Sequence, residues 1–220
     1  MIQGILFDAA GTLIEPTEPV AETYARLLSP YLGPLDPAVL SPRFKRAFMA
    51  AGDPAYEGAS RGDWAERQWW RKVVEGTLER EISDEAFHAV FDHYADGEAW
   101  RVYPEVEDVL DACSQLGLRC AIVSNFDLRL HRILDDLDLR PRFDTVISSA
   151  DASARKPSAA IFSMALSDLG LRADQVLHVG DSLQSDLHGA RAAGIEAFHL
   201  KRPAENLRCF MNWAGNRLES

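Results

Sequence analysis

The second half of the chain alternates between two hydrophobic patterns. From Tyr103 onward, short continuous apolar runs alternate with segments whose apolar residues recur at helical spacing. The first pattern is typical of buried strands and the second of amphipathic helices. The predicted strands are "RCAIVSN", "DTVISSA", "QVLHVGD" and "EAFHL", and the predicted helices are "EVEDVLDACSQLG", "LRLHRILDDL", "AAIFSMALSDLG" and "SDLHGARAAG". Strands that alternate with helices predict a parallel sheet covered on both faces.

The first half of the chain has a different pattern. Residues 2–7 are one short apolar run that ends at Asp8, and only helical periodicity follows between Glu18 and Trp100. Breaks at "SPYLGPLDP", "AGDPAYEGASRGD" and "EISD" separate four predicted helices at residues 19–28, 37–49, 63–79 and 84–94. The first run would complete the sheet. We therefore predict an α/β core of residues 1–16 and 101–220, interrupted by an all-helical insertion of residues 17–100.

Composition narrows the class of partner. The chain has 220 residues, of which 47% are hydrophobic and 26% are charged, the balance of a folded globular protein. A formal net charge of −11 and a pI near 5.0 argue against nucleic acid or an anionic membrane as a partner. A small anionic substrate would need a local cationic pocket.

Cysteine usage and the lack of targeting signals predict a cytoplasmic protein. Cys113, Cys120 and Cys209 lack metal-binding spacing, so we expect reduced thiols and no disulfides. The N-terminus shows no basic segment followed by a long apolar stretch, and no run approaches the roughly 18 apolar residues of a membrane helix. The pattern favours neither a monomer nor a dimer.

Polar residues with catalytic chemistry follow four of the predicted strands. Ligands of an open α/β sheet bind outside the carboxyl ends of the strands. The residues at those ends are Asp8, Ser124, Asn125, Lys156 within "SSADASARKPS", and Asp181 and Asp186 within "GDSLQSD". Each alone is an ordinary turn or helix-cap residue. Together, carboxylates, a hydroxyl and one ammonium group are the composition of a site for Mg²⁺ and a phosphoryl group.

The order of these residues resembles the haloacid dehalogenase-like (HAD) hydrolase superfamily. The match consists of Asp8 at the first strand end, Ser124 at the second, Lys156-Pro157 in a later loop and then "GDSLQSD", and it runs through nearly the whole chain. "RQWWRKVV", "VSNFDLRLHRIL" and "HVGDSLQSDLHGARAAG" are similar to one subgroup. The resemblance implies a Rossmann-like core with helices on both faces, and it makes residues 17–100 a helical cap of the C1 type. Such caps close over the site and choose the substrate.

The resemblance also implies a role for each residue. Asp8 would be the nucleophile that forms an aspartyl-phosphate, and Thr12 would orient it. The ligands of Mg²⁺ would be Asp8, the backbone carbonyl of Ala10 and Asp181, with Asp186 in the inner or outer shell. The phosphoryl oxygens of a small phosphorylated substrate would be held by Ser124, the Asn125 backbone and Lys156. These groups supply the positioning and charge neutralisation that phosphoryl transfer needs.

One position departs from the superfamily pattern. Its phosphatases typically read D-x-D-G-T, and the second Asp is the general acid and base, whereas this chain reads "DAAGT" with Ala10 at that place. The Ala10 carbonyl can still bind a metal, but the proton relay is lost, and such a relay contributes about 10²–10⁴-fold. Alkyl phosphates should therefore be poor substrates, whereas acyl and aryl phosphates should suffer less. The candidates for a replacement acid are Glu15, Asp63, Glu66 and His88.

Four functions compete on these grounds. The favoured one is a Mg²⁺-dependent phosphatase restricted to good leaving groups. A phosphonate hydrolase would need a cap lysine for a Schiff base, and Lys45 and Lys72 are the only cap lysines. A haloacid dehalogenase works without metal, whereas "GDSLQSD" retains both of its acids. The fourth is a non-catalytic protein that binds a phosphorylated ligand or a partner.

Two further groups of side chains are open to two interpretations each. Trp64, Trp69 and Trp70 lie on one predicted helix and are expected to pack between helices rather than form a shelf on which a substrate stacks, because large aromatic side chains dominate core energetics. Arg129, His131 and Arg132 are expected to lie on a solvated helix face, and the alternative is that they extend the cationic edge of the site. The residues after Leu200 mix polar and apolar side chains, and we assign no element there.

Overall fold

The computed structural model describes residues 1–56 and 62–218 and has seven strands in two sheets. The strands are β1 (Gly4–Phe7), β2 (Ile14–Pro16), β3 (Trp100–Val102), β4 (Arg119–Ser124), β5 (Thr145–Ser148), β6 (Val176–Gly180) and β7 (Glu196–His199). Five of them form a parallel sheet in the order β5-β4-β1-β6-β7. The first strand of the chain is therefore the central strand of the sheet, and its carboxyl end lies between the ends of its neighbours.

Ten α-helices lie within the described residues. They are α1 (Val20–Leu32), α2 (Pro37–Ala50), α3 (Gly62–Leu78), α4 (Asp84–His93), α5 (Val106–Gln115), α6 (Arg129–Asp136), α7 (Ser149–Ala152), α8 (Ala159–Leu169), α9 (Gly189–Ala192) and α10 (Leu207–Leu218). A π-helical turn, Leu183–His188, precedes α9. None of the helices in the described part is long and apolar enough to span a membrane.

Both faces of the parallel sheet are covered by helices. In β1, Ile5 and Phe7 pack with apolar residues of α5, α6 and α10, whereas Leu6 points to the opposite face, against α8 and α9. This alternation leaves no face of the strand for solvent, which explains why the strand is a continuous apolar run in the sequence. The predicted α/β fold class, with a parallel sheet between two helical layers, is confirmed.

Helices α1 to α4 lie between β2 and β3 and surround an apolar cluster of their own. The cluster includes Tyr24, Leu28, Val74 and Phe87. The chain leaves and re-enters the core through β2 and β3, which pair antiparallel with Ile14 opposite Val102. We call α1 to α4 the helical insert. The division into a core of residues 1–16 and 101–220 and a cap of 17–100 stays a prediction.

The boundaries of the insert helices differ little from the predicted ones. Helix α1 continues to Leu32 rather than residue 28, with Pro30 inside its last turn, and it ends before Gly33, whose φ is 82°. Asp36 and Ser83 accept hydrogen bonds from backbone N–H groups at the starts of α2 and α4. Residues 57–61 of the predicted break "AGDPAYEGASRGD" lie outside the described residues.

The C-terminal segment, to which we assigned no element, forms α10. Leu207, Phe210 and Ala214 are buried on one face of the helix at helical spacing. Phe210 packs edge-on against Phe7 of β1, with ring centroids 6.2 Å apart. The helix therefore completes the layer that covers the central strand.

Candidate active site

Asp8 is the first residue after the central strand, and its carboxylate accepts three hydrogen bonds. Its Oδ1 accepts from Ser124 Oγ at 3.0 Å and from Lys156 Nζ at 2.7 Å, and its Oδ2 accepts from Thr12 Oγ1 at 3.3 Å. The residue is only 6% exposed. Burial raises the pKa of Asp8, while the Lys156 ammonium opposes that shift. These donors fix the orientation of the carboxylate before any substrate arrives.

Lys156 joins two carboxylates from opposite sides of the site. Its ammonium donates to Asp8 Oδ1 and, at 2.6 Å, to Asp186 Oδ1. The side chain is 2% exposed, so burial alone would lower its pKa, but the charges of Asp186 and Asp8 outweigh burial and raise the pKa. The lysine is therefore held as a buried cation between two acids.

Asp186 occupies a space that only a glycine at position 180 leaves open. A Cβ atom on Gly180, the last residue of β6, would collide with the Asp186 carboxyl group. Ser182 N donates to Asp186 Oδ2 at 2.9 Å, and His178 Nε2 lies 3.0 Å from Oδ1. Burial alone would raise the pKa of Asp186, but Lys156 and the His178 hydrogen bond hold it below the usual range.

Asp181 completes a cluster of three carboxylates. One carboxylate oxygen from each of Asp8, Asp181 and Asp186 lies within 4.8 Å of the others, and Asp181 is the exposed member. Position 11 is a glycine with φ 88°, and a Cβ atom there would collide with the Asp181 carboxylate. Enclosure by the surrounding protein, and then the charges of Asp8 and Asp186, raise the pKa of Asp181 to about 7.

This carboxylate cluster has the chemistry of a site for a hard divalent cation. Oxygen ligands are those that Mg²⁺ prefers, and the glycines at positions 11 and 180 leave room for two of the three groups. With all three acids ionised, these groups and the ammonium of Lys156 have a formal charge of −2. A divalent cation would neutralise this excess, so the residues fit Mg²⁺.

Ser124 ends β4 and Asn125 follows it, and the two side chains act differently in the structure. The Ser124 hydroxyl donates directly to Asp8. The Asn125 side chain instead binds the backbone of Lys156, donating through Nδ2 to its carbonyl at 2.9 Å and accepting from its N–H at 2.7 Å. Asn125 thus fixes the loop that carries the lysine, a role beyond the predicted phosphoryl contact of its own backbone.

The loop after β1 is braced from the C-terminal part of the chain. Arg202 donates through one nitrogen to the Thr12 carbonyl at 2.7 Å and to Glu105 Oε1 at 2.6 Å, and its guanidinium lies 3.3 Å from the centroid of the Tyr103 ring. His199 Nε2 lies 3.0 Å from the Asp181 carbonyl. These contacts hold the Thr12 and Asp181 segments on both sides of Asp8.

A cavity of about 570 Å³ extends from these residues into the helical insert. Asp8, Ala10, Ser124, Asn125, Lys156, Asp181 and Asp186 line one end. The other end is lined mainly by aromatic and aliphatic side chains, among them Tyr24, Phe44, Phe48, Trp70, Phe91 and Trp100. The structure therefore brings the predicted site residues together at the charged end of one cavity. We call these parts the charged end and the aromatic end.

None of the four predicted replacement acids lines this cavity. Glu15 pairs with Arg101 on the two-stranded ribbon, and His88 is exposed on α4. Asp63 accepts a hydrogen bond from the backbone of Leu128. Besides Asp8, Asp181 and Asp186, the one carboxylate of the described residues that lines the cavity is Asp53, which is exposed at the aromatic end.

Glu66, the fourth predicted acid, joins the insert to the core instead. Its buried carboxylate accepts two hydrogen bonds from Arg155, one of them from Nε at 3.0 Å, and further bonds from the hydroxyls of Tyr56 and Ser149. The Arg155 guanidinium also lies 3.9 Å from the centroid of the Trp69 ring. Because Arg155 precedes Lys156, this pair ties α3 to the loop that carries the lysine.

Two other expectations are corrected by the structure. Arg129 does not lie on a solvated face: it is 11% exposed, pairs with both oxygens of Asp127 and donates to the Phe91 carbonyl of α4 at 2.6 Å. Trp69 packs from α3 against Phe48 of α2, as expected, but it and Trp70 also line the cavity, whereas Trp64 is 54% exposed. The positive charge of Arg129, which lines the cavity, is therefore already neutralised by Asp127.

Three residues that bear on the site were missed in the sequence. His178 lies inside β6, where the apolar run hides its contact with Asp186. Arg155 and Arg202 act through partners 89 and 97 residues away, Glu66 and Glu105. Only Arg155 carried a signal, because it directly precedes the "KP" pair in the sequence.

A family model described as haloacid dehalogenase-like hydrolase matches residues 2–194. Among curated relatives, "Haloacid dehalogenase-like hydrolase domain-containing protein 3" of Danio rerio is 31% identical over 209 residues. The match covers 91% of this chain and 86% of the relative.

Solved structures show a similar fold at lower identity. A HAD phosphatase from Thermococcus onnurineus has a TM-score of 0.65 and 23% identity, covering 93% of this chain and 89% of that one. An L-2-haloacid dehalogenase from Xanthobacter autotrophicus has a TM-score of 0.67 and 21% identity, covering 91% and 78%. At these identities the likeness concerns the fold alone.

Proposed function

Starting from the fact that this chain belongs to the haloacid dehalogenase-like hydrolase family, we propose that it is a Mg²⁺-dependent phosphatase acting through Asp8. The observation that carries the proposal is the charge at the site. A formal charge of −2 would repel a phosphate dianion, whereas a divalent cation held by the same acids would remove that barrier. A reaction without a metal would leave the repulsion between these acids and an anionic substrate uncompensated.

The metal would be held by Asp8, Asp181, Asp186 and the backbone carbonyl of Ala10. When bound, Mg²⁺ would neutralise charge between the nucleophile and the phosphoryl oxygens. The contribution of the chain itself is positioning. Asp8 Oδ2 accepts only the long 3.3 Å bond from Thr12, which makes Oδ2 the less encumbered oxygen for attack on phosphorus.

The phosphoryl group would be bound by donors already in place around Asp8. Lys156 Nζ and Ser124 Oγ both reach Asp8 Oδ1, so a phosphoryl group next to that carboxylate lies within reach of the same two donors. Asn125 keeps the lysine loop in register through its two backbone hydrogen bonds. These groups supply charge stabilisation without any rearrangement, as phosphoryl transfer requires.

The lack of an acid at position 10 restricts the substrates. Apart from the three acids that would hold the metal, Asp53 is the sole carboxylate of the described residues that lines the cavity, and it lies at the aromatic end. Losing general acid catalysis costs about 10²–10⁴-fold, or roughly 3–5 kcal/mol, for a leaving group that needs a proton. We infer that the substrates are small phosphorylated molecules with good leaving groups.

A second candidate is hydrolytic dehalogenation of a 2-haloacid. The apolar wall at the aromatic end favours it, as does the lack of an acid at Ala10. The extra carboxylates of Asp181 and Asp186 argue against it, since a haloacid is itself an anion. Phosphonate hydrolysis has less support, because Lys45 is exposed, Lys72 donates to the Ala51 carbonyl, and neither lines the cavity.

Turnover assays with and without Mg²⁺ separate these candidates. We expect the chain to release phosphate from acetyl phosphate and p-nitrophenyl phosphate only with Mg²⁺. The Asp8→Asn variant, which keeps the shape of the side chain, should lose more than about 10⁴-fold in kcat. Halide release from 2-chloropropionate without metal, with no phosphate release, would replace the proposal with dehalogenation. An inactive chain that still binds inorganic phosphate would indicate a binding protein.

A further inference from the structure

We propose that the aromatic end of the cavity binds the ring of an aryl phosphate, so that the leaving group is a phenol. This inference rests on the proposed phosphatase function and names its substrate class. It follows from three features of the cavity: its continuity with Asp8, the chemistry of its wall and the missing acid.

The cavity is continuous and large enough for a substituted ring. Protein interiors rarely contain voids much larger than a water molecule, whereas a volume of about 570 Å³ is that of a ligand pocket. An apolar cavity of roughly 150 Å³ already accepts benzene. The charged end contributes Asp8 and Lys156 to the same cavity, so a ring in the aromatic end can carry a phosphate that reaches the nucleophile.

The wall favours a ring over a sugar. Tyr24 and Phe44 meet edge to face with centroids 5.8 Å apart, and Tyr94 and Trp100 do so at the same distance. A further ring can extend such a cluster with the edge or offset geometry that aromatic groups prefer. A polyhydroxylated leaving group would place most of its hydroxyls against ring faces, and a hydroxyl buried without a hydrogen bond is costly.

Few polar atoms of the ring-bearing wall are accessible from the cavity. Among the described residues, the indole Nε1–H of Trp70 and the hydroxyl of Tyr94 have no hydrogen-bond partner, and both atoms are buried although the two side chains line the cavity. Trp70 and Tyr94 therefore present ring surface to a ligand, which is the surface that another ring packs against best.

The cations at the junction of the two ends do not call for a second anionic group. Arg129 is paired with Asp127, and Arg155 is paired with Glu66. Each guanidinium also covers an aromatic face, Arg129 that of Phe91 at 3.6 Å and Arg155 that of Trp69. A leaving group with its own phosphate or carboxylate would find no free cation here among the described residues.

Aryl leaving groups also match the loss of the acid at Ala10. Asp8 attacks phosphorus, the P–O bond to the ring breaks, and its electron pair leaves on the aryloxide, whose charge the ring delocalises. The aryloxide then takes a proton from solvent. Water attacks the aspartyl-phosphate, the P–O bond to Asp8 breaks, and inorganic phosphate leaves after the water proton passes to solvent.

The test compares two esters of equal leaving-group acidity. One is phenyl phosphate and the other a fluorinated alkyl phosphate whose alcohol is as acidic as phenol. We expect kcat/KM to be about tenfold higher for the aryl ester, since ring contacts contribute about a kcal/mol each. Trp70→Leu, which removes a ring from the wall, should lower kcat/KM for phenyl phosphate, whereas Trp64→Leu, at an exposed position of the same helix, should not. Equal kcat/KM for the two matched esters would overturn the proposal.

Failure of the proposed function is recognised separately. Acetyl phosphate carries no ring, so its Asp8-dependent hydrolysis reports the charged end alone. If acetyl phosphate is hydrolysed but the aryl preference is absent, only the aryl inference is wrong. If acetyl phosphate is not hydrolysed, calorimetry with phenylphosphonate and methylphosphonate decides: tighter binding of the aryl compound supports the ring site, and equal binding overturns it.

Discussion

The two ends of the cavity differ in the chemistry of their walls. At the charged end, Asp8 accepts three hydrogen bonds, and Lys156 pairs with two acids. At the aromatic end, the wall consists mainly of rings, and the neighbouring Arg129 and Arg155 are already paired with acids. The charged end therefore holds its polar groups in fixed positions, whereas the aromatic end offers apolar surface. In the proposed function, the first end sets the type of reaction and the second selects the substrate.

Removal of the divalent metal is the change with the largest expected effect on this contrast. The charged end carries a formal charge of −2, so a chelator should lower kcat/KM for p-nitrophenyl phosphate by roughly 10²–10⁴-fold. Steady-state assays after treatment with a chelator check this, and added Mg²⁺ should restore the rate. Undiminished turnover in the chelated protein would mean that the acids serve another purpose.

The second-largest expected effect is on the free energy of unfolding, through the Glu66–Arg155 pair that joins α3 to the loop carrying Lys156. Glu66→Gln removes the charge that compensates buried Arg155, and breaking one partner of a buried ion pair costs about 3–5 kcal/mol. Urea unfolding should show a lower free energy of unfolding. Asp63→Asn, one helical turn earlier on α3, is the control and should change stability far less, since Asp63 makes a single 3.4 Å bond. Equal stability of Glu66→Gln and the native chain would show that Arg155 is neutralised elsewhere.

The smallest expected effect comes from restoring an acid at position 10, which separates the contribution of the charged end from that of the aromatic end. Ala10→Asp places a carboxylate where related phosphatases carry one, and it should raise kcat/KM for an alkyl phosphate by up to about 10²-fold. Aryl phosphates should gain much less, because their leaving groups need no proton. The ratio of kcat/KM for an aryl phosphate to kcat/KM for an alkyl phosphate should therefore fall in this variant, and steady-state assays of both esters measure it. A gain that is equal for both esters would show that the acid acts on the hydrolysis of the intermediate rather than on the leaving group.

Most of the charged end was predictable because it depends on strand ends. Apolar runs mark the strands, and parallel strands share one carboxyl edge, so Asp8, Ser124 and Asp181 were expected to meet there. Lys156 lies beyond α7 rather than at the end of β5, and its place in the site was implied by the family resemblance. The helical layers were predictable from their periodicity. Even α10 carried a signal, in the spacing of its buried face.

The aromatic end was not predictable in the same way. Trp70 and Phe44 have the spacing of core residues, and a side chain that lines a cavity follows the same pattern as one that packs in a core. Pairs such as Arg155 and Glu66 join segments 89 residues apart, where no local pattern connects them. The short ribbon of β2 and β3 has three residues in each strand, too few for a periodicity to show.

The central claim is that Asp8 carries the phosphoryl group. Its most direct test is rapid acid quench of the protein with Mg²⁺ and acetyl phosphate, followed by mass spectrometry of the peptide that contains residues 5–16. We predict a phosphoryl adduct on Asp8 that forms within one turnover and is absent in Asp8→Asn. Steady phosphate release with no phosphoryl group on Asp8, or with the phosphoryl group on another residue, would contradict this role of Asp8.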